Sequence, residues 1–444
     1  MNNTLQTHAP AAVRGRVRYG IVALLFFVTA INYADRAILA VTGPLITKDL
    51  GISPVELGFV FSAFGWSYLV GQIPGGRLLD RYGSKRVYFW SILLWSAFTL
   101  LQGGVMHFGV AAAVYIMFGL RLLVGAAEAP SLPANARIVS AWFPTQERGT
   151  ATAIFNSAQY FATVLFAPLM AWVAHALGWE STFYFMGALG IVGSLLWLAV
   201  MHSPDRHPSL GTAELEYIRE GGGQTDMDAP CSAAAPAAGS AWSHARVLLG
   251  NRMMLGIYLG QYCISTLTYF FLTWFPVYLV QQRGMSILNA GLVASIPAIF
   301  GFAGGLLGGV FSDALLRRGH SLSVARKTPI VLGMLLSMSM VLCNYVQAEW
   351  LVVAIMALAF MGKGIGALGW AVMADTASPR IAGFSGGLFN MFGNVSSIVT
   401  PIAIGTIIQA TGSFNGALLF ISANAALAIF AYLVVVGEIR RVEA

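Results

Sequence analysis

Charge is the scarcest property of this sequence. Acidic and basic side chains together make up 10% of its 444 residues, where a soluble protein needs roughly a quarter to coat its surface. A string of water-soluble domains is therefore excluded. Cysteine is scarce too: Cys231, Cys263 and Cys343 have no metal or redox spacing, which argues against a disulfide scaffold or a zinc site. His8, His107, His175, His202, His207, His244 and His320 fall in tails, loops or the ends of apolar runs, so none is placed to act as a catalytic base or metal ligand. No nucleophile is spaced for activation by a base, and no cluster of acids is set for sodium. The chain reads as a non-enzyme that needs no metal or organic cofactor.

Apolar sequence is abundant, at 57% of residues. Twelve segments approach or exceed the ~20 helical residues that cross a bilayer core. They are residues 20–43, 57–79, 87–106, 110–133, 149–177 and 183–201, then 255–281, 290–316, 329–346, 350–374, 384–410 and 416–437. They are too long for strands and show no period of two, which excludes a barrel.

The net charge of +7 could suggest a nucleic-acid partner, but its placement reports topology. Arg36, Arg121 and Lys363 lie inside spans and Lys48 and Arg283 in odd-numbered loops; the other lysines and arginines gather at the termini or around even-numbered loops. That asymmetry is the positive-inside rule, and it predicts cytoplasmic termini. Arg14, Arg16 and Arg18 ahead of the first run imitate a signal peptide. The run is too long for one and has no small-residue cleavage site, so it is expected to stay as the first helix.

Residues 202–251 form the long polar interval. They hold a helix-like stretch, TAELEYIRE, and a low-complexity run, APCSAAAPAAGSA, which cannot bury a core and reads as a flexible linker. The sequence on either side of it repeats. GGRLLDRYGSKR at 75–86 and GGVFSDALLRRG at 308–319 both place a glycine four residues before an aspartate, Gly76/Asp80 and Gly309/Asp313. RGTATAIFNSAQY at 148–160 matches AGFSGGLFNMFGN at 382–394, and the two offsets, 233 and 234 residues, nearly agree. The expected fold is all-α: a polytopic membrane protein of twelve transmembrane helices in two six-helix pseudo-repeat halves, 1–201 and 252–444, joined by 202–251. Such repeats place a substrate site between them near the bilayer midplane.

Against this background INYADRAILA, residues 31–40, is anomalous, because Asp35 and Arg36 stand together inside an apolar run. Arg121, Glu128 and Lys363 are likewise intramembrane. At about 2.5–3.5 kcal/mol each, the five cost roughly 12–17 kcal/mol before pairing. Buried pairs stabilise poorly compared with apolar isosteres, which favours function over packing. Arg121 and Glu128 are seven apart, two turns along one helix face. Gln261, Ser265 and Thr268 share a face of span seven, Asn156 and Gln159 one of span five, Asn390 and Asn394 one of span eleven. Tyr33, Tyr68 and Trp370 add rings with polar tips. An arginine grips a carboxylate with two bonds while amides serve hydroxyls, so the expected solute is a small anion bearing many hydroxyls. An anion arriving at Arg36 would loosen its hold on Asp35, which then takes a proton; protons are the expected coupling ion. GIGALG at 364–369 fits the dinucleotide fingerprint but lies inside an apolar span with no strand before it. Close helix approach explains its small residues.

With NYADRA in span one, GGRLLDRYGSKR after span two and RLLVGAAEAP in span four, the chain resembles the major facilitator superfamily. QIPGG, AWFPTQERG, IFNSAQYFAT, LTWFPVYL, ARKTPI and GGLFNMFGN narrow the likeness to its anion:cation symporter group, most closely the bacterial glucarate/galactarate transporters. The resemblance covers nearly the whole chain. It implies an importer in the bacterial inner membrane that carries a dicarboxylate sugar acid with protons by alternating access. Asp35 and Glu128 match the protonatable pair, Arg121 the arginine that responds to it, and Arg36 the carboxylate-binding arginine. Tyr33, Tyr68, Gln159, Gln261, Trp370 and Asn390 match substrate-contacting positions. Gly76, Asp80, Arg81 and Gly83 match the cytoplasmic gate motif, in which Asp80 would pair with a neighbouring helix end or arginine and hold the inside closed.

Lys363 departs from the galactonate-type branch of the group, which carries a neutral amide there. Lying seven residues from Trp370, on one face of span ten, it is expected to meet the second carboxylate of an aldarate, to pair with Asp375, or only to face another helix. The partners expected are the sugar-acid anion, protons and membrane lipid, with no nucleic acid and a monomeric chain. An organophosphate-type antiporter and a transport-dead sugar-acid receptor are the rival readings.

Overall fold

The computed structural model describes residues 15–227, 241–376 and 382–441. His8, Arg14, Cys231 and the low-complexity run up to residue 240 lie outside them. Helices α1 (Val17–Leu50), α2 (Pro54–Tyr82) and α3 (Ser84–Gln102) are followed by α4 (Val110–Glu128) and α5 (Ser131–Trp142), parted by a turn at Ala129 and Pro130. After α6 (Arg148–Leu177) and α7 (Trp179–Val200) come two short helices, α8 (Thr212–Glu220) and α9 (Ala241–Gly250). α10 (Arg252–Tyr269) passes through a π-helical turn, Phe270–Trp274, into α11 (Phe275–Gln281). α12 (Ile287–Arg317) and α13 (Leu322–Met338) follow, then α14 (Glu349–Ile365) and α15 (Gly369–Thr376), two pieces of one broken helix. α16 (Ala382–Thr411) and α17 (Asn415–Phe430) are last. Among the described residues there is no strand.

Ten helical stretches among the described residues are long and apolar enough to cross a membrane. α2 and α3, also read as spans, are 29 and 19 residues long. They are more polar because α2 ends on Arg77, Asp80 and Arg81 and α3 begins on Lys85 and Arg86. Tight turns make sequential helices antiparallel. α1 stops at Gly51, whose φ of 62° is left-handed, and Ser53 starts α2 in a reciprocal capping box with Glu56, with Pro54 in the first turn, where its missing N–H costs nothing. One end of the bundle therefore gathers the chain ends and even-numbered loops (the termini face); the other is the far face.

Small residues let the helices meet backbone to backbone. A Cβ on Gly58 of α2 would lie 2.6 Å from the Pro401 carbonyl oxygen of α16, and Gly65 against Ser397 and Gly405 against Pro54 are just as tight. α6 and α12 meet similarly, where Gly291 packs on Ala167 and Ala171. Both seams lie toward the far face and close it. GIGALG packs as expected, with Gly364 against Gly301 and Gly304 of α12. It also breaks the span, since the chain leaves the helix at Gly366 and re-enters it at Gly369.

The interval read as a flexible linker is built structure over 202–227. Glu214 on α8 is 1% exposed; its carboxylate accepts from Arg18 Nη1 at 2.9 Å and from the Val17 backbone N–H at 3.2 Å. Glu147, just before α6, accepts from Arg18 Nε at 3.0 Å and from the Tyr217 hydroxyl at 2.8 Å. Composition concealed this because the segment borrows partners from α1 and the α5–α6 turn instead of burying a core of its own.

Candidate functional site

Consecutive residues on a helix point about 100° apart and do not face each other, so the adjacency of Asp35 and Arg36 is not a pairing. Arg36 turns toward α4 and donates from Nε to Glu128 Oε2 at 2.9 Å, both side chains buried. Its guanidinium carbon lies 4.8, 4.6 and 4.9 Å from the ring centres of Tyr33, Phe64 and Tyr68. This aromatic cage stabilises the cation electrostatically. The expected hold of Arg36 on Asp35 is thus replaced by a hold on Glu128. Asp35 points elsewhere: it is fully buried, has no ion pair among the described residues, and has the Trp95 indole directed at its carboxylate. The groups that face it are Glu128, Arg121 and Trp95. Arg121 donates to the backbone carbonyls of Asp35 and Arg36 at 3.2 and 3.3 Å. The seven-residue spacing therefore does turn Arg121 and Glu128 to one partner, α1.

Tyr33 separates this cluster from a cavity of about 50 Å³, lined by Tyr33, Gln159, Tyr160, Thr163, Thr268 and Lys363 among others. Lys363 is 7% exposed, and its Nζ lies 5.3 Å from the ring centre of Phe360. It forms no ion pair among the described residues; Asp375, its alternative partner, accepts from Arg326 at 2.7 Å. Three predicted substrate positions, Tyr33, Gln159 and Lys363, thus converge on one cavity, with Arg36 and Tyr68 behind the Tyr33 ring.

A second group forms nearer the termini face. Gln261 donates to Ser265 Oγ at 3.4 Å, and Asn390 donates to Gln72 Oε1 at 3.1 Å, joining α16 to α2. Trp370, 55% exposed, packs edge-on against Phe389 with ring centres 4.9 Å apart. It does not share a face with Lys363, because residues 366–368 unwind the helix between them and cancel the seven-residue spacing.

In the gate motif, Asp80 accepts from Arg137 of α5 at 2.8 Å. The partner is an arginine, as expected, but both residues belong to helices before residue 201, so the pair does not tie the two sets together. Gly76 faces open space, Arg81 stacks over the Tyr82 ring at 5.3 Å, and Gly83 takes a φ of 81° between α2 and α3. The repeat-related Asp313 lies 3.8 Å from Arg326.

Phe64, Tyr160 and Thr163 were missed from sequence. Each follows from residues already singled out: Phe64 lies one turn before Tyr68, Thr163 one turn beyond Gln159, and Tyr160 beside Gln159. Helix spacing carried the signal.

A sequence model of the Major Facilitator Superfamily matches residues 25–320. The chain is 60% identical to the "Probable galactarate/D-glucarate transporter GudP" of Escherichia coli (strain K12), over 100% of this chain and 98% of that protein. It is 58% identical to the protein of the same name in Bacillus subtilis (strain 168), over 100% and 97%. A solved structure titled as a D-xylose-proton symporter superposes with a TM-score of 0.73 over 96% of this chain and 98% of that one. At 14% identity this last likeness is one of fold alone.

Proposed function

The chain belongs to the Major Facilitator Superfamily, and on that footing we propose that it imports a dicarboxylate sugar acid, galactarate or D-glucarate, together with protons by alternating access. The substrate class named for its close relatives agrees with the site. One observation carries the choice of a diacid: Lys363, a buried ammonium with no carboxylate partner among the described residues, lines the cavity whose Tyr33 wall backs onto Arg36. A buried unpaired cation is costly, and a second substrate carboxylate would supply its counter-ion while Arg36 takes the first. Gln159, Thr163 and Thr268 are the groups for the hydroxyls.

Coupling follows from the competition for Arg36. A substrate carboxylate that takes the guanidinium releases Glu128, and an ionised carboxylate left alone in a buried site is far costlier than the neutral acid. Glu128 then binds a proton. Asp35, which has no ion pair to lose among the described residues, is the second proton carrier, and Arg121 steadies the turn of α1 that holds both Asp35 and Arg36.

Residues 1–201 and 252–444 are the two bodies that rock about the cavity, with 202–251 between them. With the far-face seams closed and a cavity of about 50 Å³, room for only a few waters, this is a narrowed state. Loading a six-carbon diacid requires the site to widen. The termini face is the cytoplasmic one, in a bacterial inner membrane, and Gly76, Asp80, Arg81 and Gly83 form the gate there. The chain works as a monomer.

Purified protein in proteoliposomes should accumulate labelled galactarate when an inward acid gradient is the sole driving force. Uptake that ignores the gradient and instead requires an internal counter-anion would refute this reading in favour of an antiporter.

A further inference from the structure

α3 carries a stripe of polar side chains that no part of this site uses. Trp95, Ser96, Thr99 and Gln102 are each fully buried. Among the described residues, Ser96 Oγ, Thr99 Oγ1 and Gln102 Oε1 have no hydrogen-bond partner, and the Trp95 indole is directed at the Asp35 carboxylate. The spacing places them on one helix face spanning about 10 Å. Gln102 is the last residue of α3, at the far face, and Trp95 is the residue that faces Asp35. Ser96 has its room because Gly190 of α7 opposite it has no side chain. Buried hydroxyl, amide and indole groups are almost always satisfied, and in a membrane an unsatisfied one is especially unfavourable. Three together on one face, leading to the indole that reaches the Asp35 carboxylate, form a column that a file of water would satisfy. None of the four lines the cavity of Tyr33, Gln159 and Lys363.

We propose that protons reach Asp35 from the far face along Gln102, Thr99, Ser96 and Trp95, through the interior of the first six helices and apart from the path of the sugar acid. The step balances simply: a water-borne proton adds to the Asp35 carboxylate and leaves the neutral acid. The charged groups whose fields act on it are Glu128 and Arg121, so the proton arrives in the electrostatic reach of a second carboxyl. The inference rests on the proton-coupled reading above.

The test uses the full chain in proteoliposomes with Ser96→Ala/Thr99→Val, which keeps side-chain volume while removing both hydroxyls. Two rates are read with galactarate: proton uptake on substrate addition, and exchange of labelled for unlabelled substrate at equal pH on both sides. Exchange shuttles the loaded carrier and needs no net proton delivery. The expected result is a several-fold slower proton uptake with exchange near the wild-type rate, and a rate near wild type in Ser96→Ala/Thr99→Ser, which keeps a hydroxyl at 99. Proton uptake at the wild-type rate would overturn the proposed route, as would exchange that falls in step with proton uptake, since that is the mark of a packing role. A wild type that moves no proton with galactarate would bring down the coupled reading itself, and this route with it.

Discussion

Lys363 sits buried against Phe360 without an acid partner, so neutralising it acts on the ligand and not on a structural ion pair. Lys363→Asn should weaken galactarate uptake roughly tenfold to a hundredfold, the ~1.5–3 kcal/mol of a hydrogen bond to a charged group, while a monoacid such as galactonate loses little. Competition of labelled uptake by the two acids reads the difference, and equal losses would remove the two-cation clamp. Arg36→Lys keeps the charge but not the planar fork; it should raise KM for both acids alike. The intramembrane charges were legible from hydropathy alone, because five ionisable side chains stand out in apolar runs where each is costly. Their partners were not. Asp35 and Arg36 touch in sequence, yet helix phase sends one toward Trp95 and the other to Glu128. Which helix stands opposite each is decided by tertiary packing.

Helix existence was readable wherever the apolar runs were long, and the breaks were not. The span-ten helix unwinds at 366–368, where its glycines serve both to approach α12 and to release the backbone, and that separates Trp370 from Lys363. The polar segment around α8 misled in the opposite sense. It is held by the Arg18–Glu214 pair and the Tyr217–Glu147 hydrogen bond and by Ile218 and Met227 buried against the helices beside it, which composition does not register. Burial opposes ionisation of Glu147, but the hydrogen bonds from Arg18 and Tyr217 outweigh it and hold this carboxyl below its ordinary 4.5. A lowered folded-state value means the contact is fully stabilising above pH 4.5 and is lost as the pH falls through that lowered value. Glu147→Gln should therefore lower the Tm of detergent-solubilised protein by a few degrees at neutral pH. The gap from wild type should close as the pH drops below 4.5; a gap that persists there would show that the clasp is not ionic.

The duplication of GGRLLDRYGSKR and of the span-five motif leads to an expectation of two sets of helices and says nothing of which end is closed. Glycine contacts supply that: α2 meets α16 and α6 meets α12 toward the far face. A side chain at Gly58 would strike the Pro401 carbonyl, a backbone atom that cannot swing away. Gly58→Val should therefore disfavour the closed far face, lengthening the α2–α16 distance between spin labels placed there and slowing uptake; an unchanged distance distribution would contradict the seam. All of these motions matter only if solute and proton contend for the same guanidinium. The most direct measurement is galactarate accumulation in proteoliposomes bearing Asp35→Asn/Glu128→Gln under an inward acid gradient, with equal-pH exchange as the control. The variant should exchange galactarate but never raise it above the external concentration. Uphill accumulation by that variant would contradict the account.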